Sequence, residues 1–232
     1  MKNLFKKILK FSRNKILGDF RSKKLSNIII NKILKYNKNK KNIKILDYGS
    51  GFQPRVIFFI HEKLRKKLNL KIEIDCYDFY TDKEIKSLTK KYKKGINFLN
   101  INSLKNKNYD FCLINDVLHH IDINREDLII KILKKLLNSS KIVLIKDHFQ
   151  KGFLSNSIIR LMDFLGNYFN DVKIPKKYYD KETFENLIIK IRARVIEKII
   201  SINLYPSYLL FMSNPDFHFI YLIKRKSQLK NK

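Results

Sequence analysis

The sequence predicts an α/β fold built on a mainly parallel sheet with helices on both faces. Three observations carry this. Short apolar runs alternate with helical segments from Lys44 to Lys146. A turn with two glycines follows the first of these runs. Near the C-terminus two β-rich runs flank a Pro-containing stretch. Repeated βα units of this length predict a parallel sheet, and the last two runs can close it as a hairpin-like pair.

The elements follow in order. Lys44–Tyr48 reads as a first strand, Arg55–Leu68 as a helix and Lys71–Tyr77 as a second strand. Lys83–Tyr92 is helical, Ile96–Leu99 a third strand and Tyr109–Asn115 a fourth. Arg125–Leu137 is a helix, Lys141–Lys146 a fifth strand and Lys181–Ile191 a further helix. Val195–Asn203 and His218–Lys224 are the closing runs. Two segments stand outside the alternation: a basic helical stretch over 1–41 and an insertion over 149–179. Loops at the carboxyl ends of parallel strands form the ligand crevice of such sheets, so the insertion lies where a substrate cap would be. In it Leu154, Ile158, Leu161, Met162 and Leu165 recur at helical spacing. Such a stripe packs on the core or lids an apolar acceptor.

The 232 residues, 44% of them hydrophobic, suit one domain, 1–232, with a sizeable core. No apolar run approaches the roughly 18–20 residues that span a bilayer. Lys interrupts the N-terminus too often for a signal peptide, and the chain reads as cytoplasmic. Cys76 and Cys112 sit in strand-like runs and read as core thiols, and no metal site is expected. The formal net charge is +29. It reads either as attraction to nucleic acid or a phospholipid surface, or as codon drift, the favoured main cause. Only nine of the 50 basic residues are Arg, and Ala193 is the sole alanine. Scarce Arg, the residue suited to bidentate phosphate recognition, disfavours a nucleic-acid partner. Phe5, Ile8, Leu9, Ile16 and Leu17 oppose Lys2, Lys6, Lys7, Lys10 and Lys15 on a helical wheel. That helix either packs on the domain or lies in an anionic bilayer interface, giving a membrane-peripheral protein.

The densest chemistry is Asp47-Tyr48-Gly49-Ser50-Gly51, a strand running into a two-glycine turn before a helix. Glycines permit the sharp turn and a close backbone approach to a ligand. Asp78 ends the second strand, placed to accept from ribose hydroxyls. Asn102 follows the third strand, where its amide can meet an adenine edge. The fourth strand ends in Asn115-Asp116-Val117-Leu118-His119-His120.

These motifs resemble those of class I S-adenosylmethionine (SAM)-dependent methyltransferases, over about residues 42–148. Asp47, Gly49 and Gly51 look like the glycine-rich first motif, and Asp78 matches the ribose-binding acid. Asn102 stands where many members carry an adenine-contacting Asp, and Asp116 to His120 resembles the motif closing strand four in small-molecule members. The resemblance implies a doubly wound, seven-stranded, mainly parallel Rossmann-like sheet whose last strand is antiparallel, with SAM as cofactor bound by Asp47, Gly49, Gly51, Asp78, Asn102 and Asp116. The chain departs from the motif at Gln53-Pro54, where a third glycine is usual, and at Asn102. The same departure argues against NAD, whose pyrophosphate needs the full glycine fingerprint.

Strand four lacks the N/D-P-P-Y/F of amine and amide methylation, and neither Cys follows a proline as in pyrimidine C5 attack. An oxygen or an acidic carbon of a small-molecule, lipid or glycan-precursor acceptor remains. His148, then His119 and His120, are candidate catalytic residues, because neutral imidazole removes a hydroxyl proton near pH 7. Tyr178 and Tyr179 are candidate acceptor contacts. Lys146-Asp147-His148 and Asp163-x-x-Gly166-Asn167 resemble a pattern in a subset of bacterial methyltransferases with no shared substrate to transfer. The alternatives are an RNA methyltransferase using the basic surface, or a non-catalytic protein of this fold.

Overall fold

The strands owe their depth to side chains that go opposite ways from one residue to the next. In β1 (Asn42–Tyr48), Ile43 and Ile45 enter one apolar layer, Leu46 and Tyr48 the other. A computed structural model describes residues 19–37, 41–68, 70–92, 95–104, 107–167, 175, 177–206 and 214–226. The N-terminal amphipathic pattern, Phe5 to Leu17, lies outside the described residues.

The elements are α1 (Asp19–Tyr36), β1, α2 (Arg55–Leu68), β2 (Lys71–Asp78), α3 (Asp82–Lys91), β3 (Ile96–Asn100), β4 (Tyr109–Asn115), α4 (Glu126–Ser139), β5 (Ser140–His148), α5 (Phe153–Asn167), α6 (Lys181–Lys190), β6 (Ala193–Ile200) and β7 (His218–Arg225). They form one seven-stranded sheet in the order β3-β2-β1-β4-β5-β7-β6. β1 to β5 are mutually parallel; β7 runs antiparallel to both its neighbours. The expected Rossmann-like sheet with an antiparallel last strand is therefore the observed one. Leu25, Ile29 and Ile33 of α1 and Ile57, Ile60 and Leu64 of α2 cover one face. Ile129, Leu133 and Leu136 of α4 and Phe184 and Leu187 of α6 cover the other. Cys76 and Cys112 are free and fully buried.

Helix starts are written locally. Thr81 and Glu84 make a reciprocal capping box on α3. Asp180 caps α6 by accepting from the Thr183 N–H at 2.7 Å.

Two expectations need correction. β5 does not stop at Lys146 but runs on to His148, because β7 pairs Asp147 with Phe219 and His148 with His218. The apolar stripe of the insertion is only in part a packed face of α5: Ile158 packs against the Ile159, Tyr178 and Phe217 cluster. Ser155 and Ile159 face inward, while Leu154 and Leu161 are exposed. Among the described residues no helix is long and apolar enough to cross a membrane.

Candidate active site

At the end of β1 the chain turns through Gly49 (φ +76°) and Gly51 (φ +66°). Gly49 N–H and Ser50 N–H both donate to the Tyr77 carbonyl, at 2.8 and 3.3 Å, lacing the turn to the end of β2. A Cβ on Gly49 would lie 2.5 Å from a Val117 methyl; one on Gly51 would meet nothing within 4 Å. Gly49 is thus dictated by packing against the β4 loop, whereas Gly51 fronts open space. Asp78 accepts from Gly51 N–H at 2.6 Å and Phe79 N–H at 2.7 Å. The Tyr80 hydroxyl donates to the Gly51 carbonyl at 2.6 Å, and Asn100 donates its amide to the Tyr80 carbonyl at 2.7 Å. Asn102 lies exposed in the turn after β3, its N–H on the Asn100 side chain at 2.9 Å. Asp47 is buried in β1, and burial, followed by the charge of Asp78, pushes its carboxyl up to about 8.

Four of the chain's five histidines meet at the carboxyl ends of β4 and β5. The 3-10 turn Leu118–His120 follows β4 and turns His119 inward. Its Nδ1 lies 2.5 Å from Asp147 Oδ1, and Asp147 Oδ2 accepts from the N–H groups of Leu118 and His119 at 3.1 and 3.3 Å. His148 N–H donates to Asp147 Oδ1 at 2.8 Å. Asp147 therefore holds the end of β4 to the end of β5 and fixes the His119 ring. His119 Nε2 faces Asp163 of α5 at 3.4 Å, and the Tyr178 hydroxyl donates to Asp163 at 2.5 Å. Asp116, at φ +56°, carries ion pairs to Arg21 of α1 and Lys146 of β5. His148 Nδ1 is 3.5 Å from Asp116 and 3.6 Å from Asp147, with no hydrogen-bond partner, and its ring packs 4.8 Å from that of His218.

The electrostatics follow from this packing. Burial disfavours a charge on His119, but Asp147, with help from Asp163 and Asp116, outweighs it and holds His119 above its ordinary value. Burial and then Lys146 hold His148 below its ordinary value, against the pull of Asp147 and Asp116. Burial pulls Lys146 down to about 8, although Asp116 opposes it. Burial would raise Asp116, but Arg21 and Lys146 hold it well below the usual carboxylate range. The two imidazoles are thus tuned apart: His119 favours the cation, His148 the neutral base.

The structure gathers His119, His120, His148, Tyr178 and Asp116 into one cluster, with the glycine turn, Asp47, Asp78 and Asn102 along the neighbouring strand ends. Tyr179 parts from the group. It forms a bridge with Phe149, and its ring packs on Phe184, so consecutive tyrosines on extended backbone face opposite ways. Sequence reasoning missed Arg21 and His218, and gave no role to Lys146, Asp147 or Asp163. The two short patterns containing those last three were the available signal; Arg21, one Arg on a Lys-rich helix, offered little. Donor atoms of His119, Asp147 and His148 lie within 4.8 Å of one another, a spacing that admits a metal ion. The four hydrogen bonds already on Asp147 commit that carboxylate elsewhere.

The residues fit SAM. Gly51 is a cradle that a larger side chain would fill, Asp78 stands beside it, and Asp47 supplies a buried carboxyl that a neighbouring cation would ionise.

No protein-family model matches the chain, and no curated protein does. Solved structures do. The plantazolicin methyltransferase BpumL in complex with S-adenosylhomocysteine (SAH) is 18% identical over 95% of this chain and 90% of that one, with a TM-score of 0.59. The 1,6-didemethyltoxoflavin-N1-methyltransferase of Burkholderia thailandensis, with bound substrate and SAH, is 13% identical over 89% of this chain and 79% of that one, at 0.56. A pericyclic reaction enzyme is 12% identical over 85% of this chain and 47% of that one, at 0.58. One backbone therefore carries more than one chemistry. What these likenesses establish is the fold: the chain has the Rossmann-like fold of the class I SAM-dependent methyltransferases.

Proposed function

We propose that this chain transfers a methyl group from SAM to an oxygen or an acidic carbon of a small-molecule or lipid-like acceptor, in the cytoplasm. When bound, SAM supplies a methyl carbon already activated by its sulfonium. The glycine turn, Asp47, Asp78 and Asn102 would hold the cofactor along the ends of β1 to β3, with Asp116 at its boundary with the acceptor. The chain's own task is to place the acceptor and take its proton. His148 does the second: it is buried, held toward the neutral form, and its Nδ1 has no hydrogen-bond partner. His119 is a fixed element, locked by Asp147, that aligns Asp163 and Tyr178 on the acceptor side. The single observation that carries this reading is His148 Nδ1, buried without a hydrogen-bond partner at the carboxyl end of β5, on the same edge of the sheet as the glycine turn after β1.

Isotopically labelled SAM is to be incubated with the protein and extract from cells lacking the gene. A labelled product should form. His148→Ala should lower its rate by roughly 10²–10⁴-fold, the range for loss of a general base, with SAH affinity by calorimetry nearly unchanged. Near-normal turnover in that variant removes His148 from the chemistry.

A further inference from the structure

α5 is the helix that brings Asp163 to His119 and Tyr178, and its outward side is largely apolar and open. Phe153 is 84% exposed, Leu154 76% and Leu161 49%. At about 100° per residue, these three share with Ser157 and Arg160 an arc of roughly 120°. Ser155 and Ile159 take the inward side. The helix has one acidic residue, Asp163, and that carboxylate is turned inward to Tyr178 and His119. The outward arc therefore carries apolar side chains, Ser157 and one Arg, with no negative charge. Near the same cluster, the first turn of α1 sends Arg21 inward to Asp116 and leaves Phe20 37% exposed beneath the Lys24 ammonium. Arg21 pairs with Asp116, which faces His148, and Asp163 faces His119, so both helices reach the histidine cluster.

A soluble surface rarely shows bulky apolar side chains this open and this close together without a partner. Two features identify the partner. The first is charge: 50 basic against 21 acidic residues give a net +29. Codon drift as its origin would not change the field it makes. That field attracts an anionic sheet at long range whatever its detailed shape. The second is the form of the apolar arc, a surface helix with Phe and Leu outward and Arg at its flank, which suits shallow insertion at a headgroup boundary.

We propose that the outer face of α5 docks the protein on an anionic phospholipid surface, so that the helix carrying Asp163 lies between the bilayer and the histidine cluster. On the methyl-transfer reading, the acceptor is then a lipid-anchored or lipid-soluble molecule drawn from that membrane. The docking itself does not depend on that reading.

The chain has no Trp, so Phe153→Trp makes a single-fluorophore reporter on the arc, and Val195→Trp on β6 a control away from it. With vesicles of phosphatidylcholine containing phosphatidylglycerol, the Phe153→Trp emission should shift to the blue and the Val195→Trp emission should not. The full chain should sediment with these vesicles, weakly with pure phosphatidylcholine, and less as salt rises. Phe153→Ser, Leu154→Ser and Leu161→Ser together should weaken that partitioning at least about tenfold. Far-UV dichroism and SAH calorimetry on the triple variant should match the wild type. Unaltered sedimentation of the triple variant overturns the proposal. So does binding with an unmoved Phe153→Trp emission, which would put contact on another surface, or no sedimentation at all. If the wild type sediments as stated yet binds no SAH, the methyl-transfer reading fails and the docking stands.

Discussion

The two halves of the crevice are held by different kinds of bond. On the cofactor side the partners are largely backbone. Gly49, Ser50 and Gly51 all donate N–H groups, and their acceptors, Tyr77 and Asp78, end the neighbouring strand. On the acceptor side the partners are largely ionisable side chains from five separate places: α1, the turn after β4, the end of β5, α5 and the segment before α6. Arg21 and Asp116 are 95 residues apart in sequence. A backbone turn keeps its shape when one side chain changes. A buried charge network does not, because each member offsets the desolvation of the others. The cofactor side should therefore separate binding from folding under mutation, and the acceptor side should not.

The sharpest way to break this contrast is a pair of Asp→Ala changes. Asp147→Ala leaves the His119 ring and the N–H groups of Leu118, His119 and His148 without their acceptor in a buried site. It should cost about 3–5 kcal/mol of stability. Asp78→Ala removes two hydrogen bonds at a partly exposed strand end. It should cost about 1 kcal/mol of stability but about 1.5–3 kcal/mol of SAH affinity. Urea melts and calorimetry read both. Equal stability losses would erase the distinction between the halves.

The same difference governs what the sequence shows. Gly49, Gly51 and Asp78 lie on contiguous strand-turn-helix segments, so a local pattern with one physical cause marks each of them. The sheet was legible for the same reason, down to the closing pair β6 and β7. Arg21, Asp163 and His218 acquire their meaning only when distant segments meet, and no local period records that meeting. The exposed arc of α5 is the instructive miss. Leu154 and Leu161 have helical spacing, but spacing alone does not say which side is inward. Asp163 decides it, because its carboxylate is drawn to Tyr178 and His119.

A second test compares the two glycines of one turn. Both have positive φ, so a Cβ is strained at either. At Gly49 it would also sit 2.5 Å from Val117, the first residue of the loop between Asp116 and His119. Gly49→Ala should cost about 3 kcal/mol, from backbone strain and overpacking together. Gly51→Ala meets open space and should cost about 1 kcal/mol, from strain alone. A larger residue such as Leu at 51 should still fold and should lose SAH binding. Equal thermal shifts for the two alanines would mean that Val117 yields and that the turn is not braced by the acceptor side.

The effect most specific to the cofactor side is read as a slope. Asp47 is buried in β1 with its carboxyl pushed up to about 8, first by burial and then by Asp78. An unfolded Asp titrates near 4. Between about pH 4 and pH 8 the native chain therefore holds one proton more than the unfolded chain at this site. Stability then falls as pH rises, by about 1.4 kcal/mol per pH unit, because the unfolded state gains from ionising and the native state does not. Below pH 4 both states are protonated and the contribution is complete. Above pH 8 both are ionised and the slope vanishes. Asp47→Asn removes the titration and keeps the shape of the neutral acid. Subtracting its urea stability from that of the wild type at pH 5, 6 and 7 cancels the other titrating groups and should leave a line falling by about 1.4 kcal/mol per unit. A flat difference would show Asp47 already ionised in the folded protein. The buried carboxyl would then reach solvent or a cation, and the cofactor side would hold a charge pair as the acceptor side does.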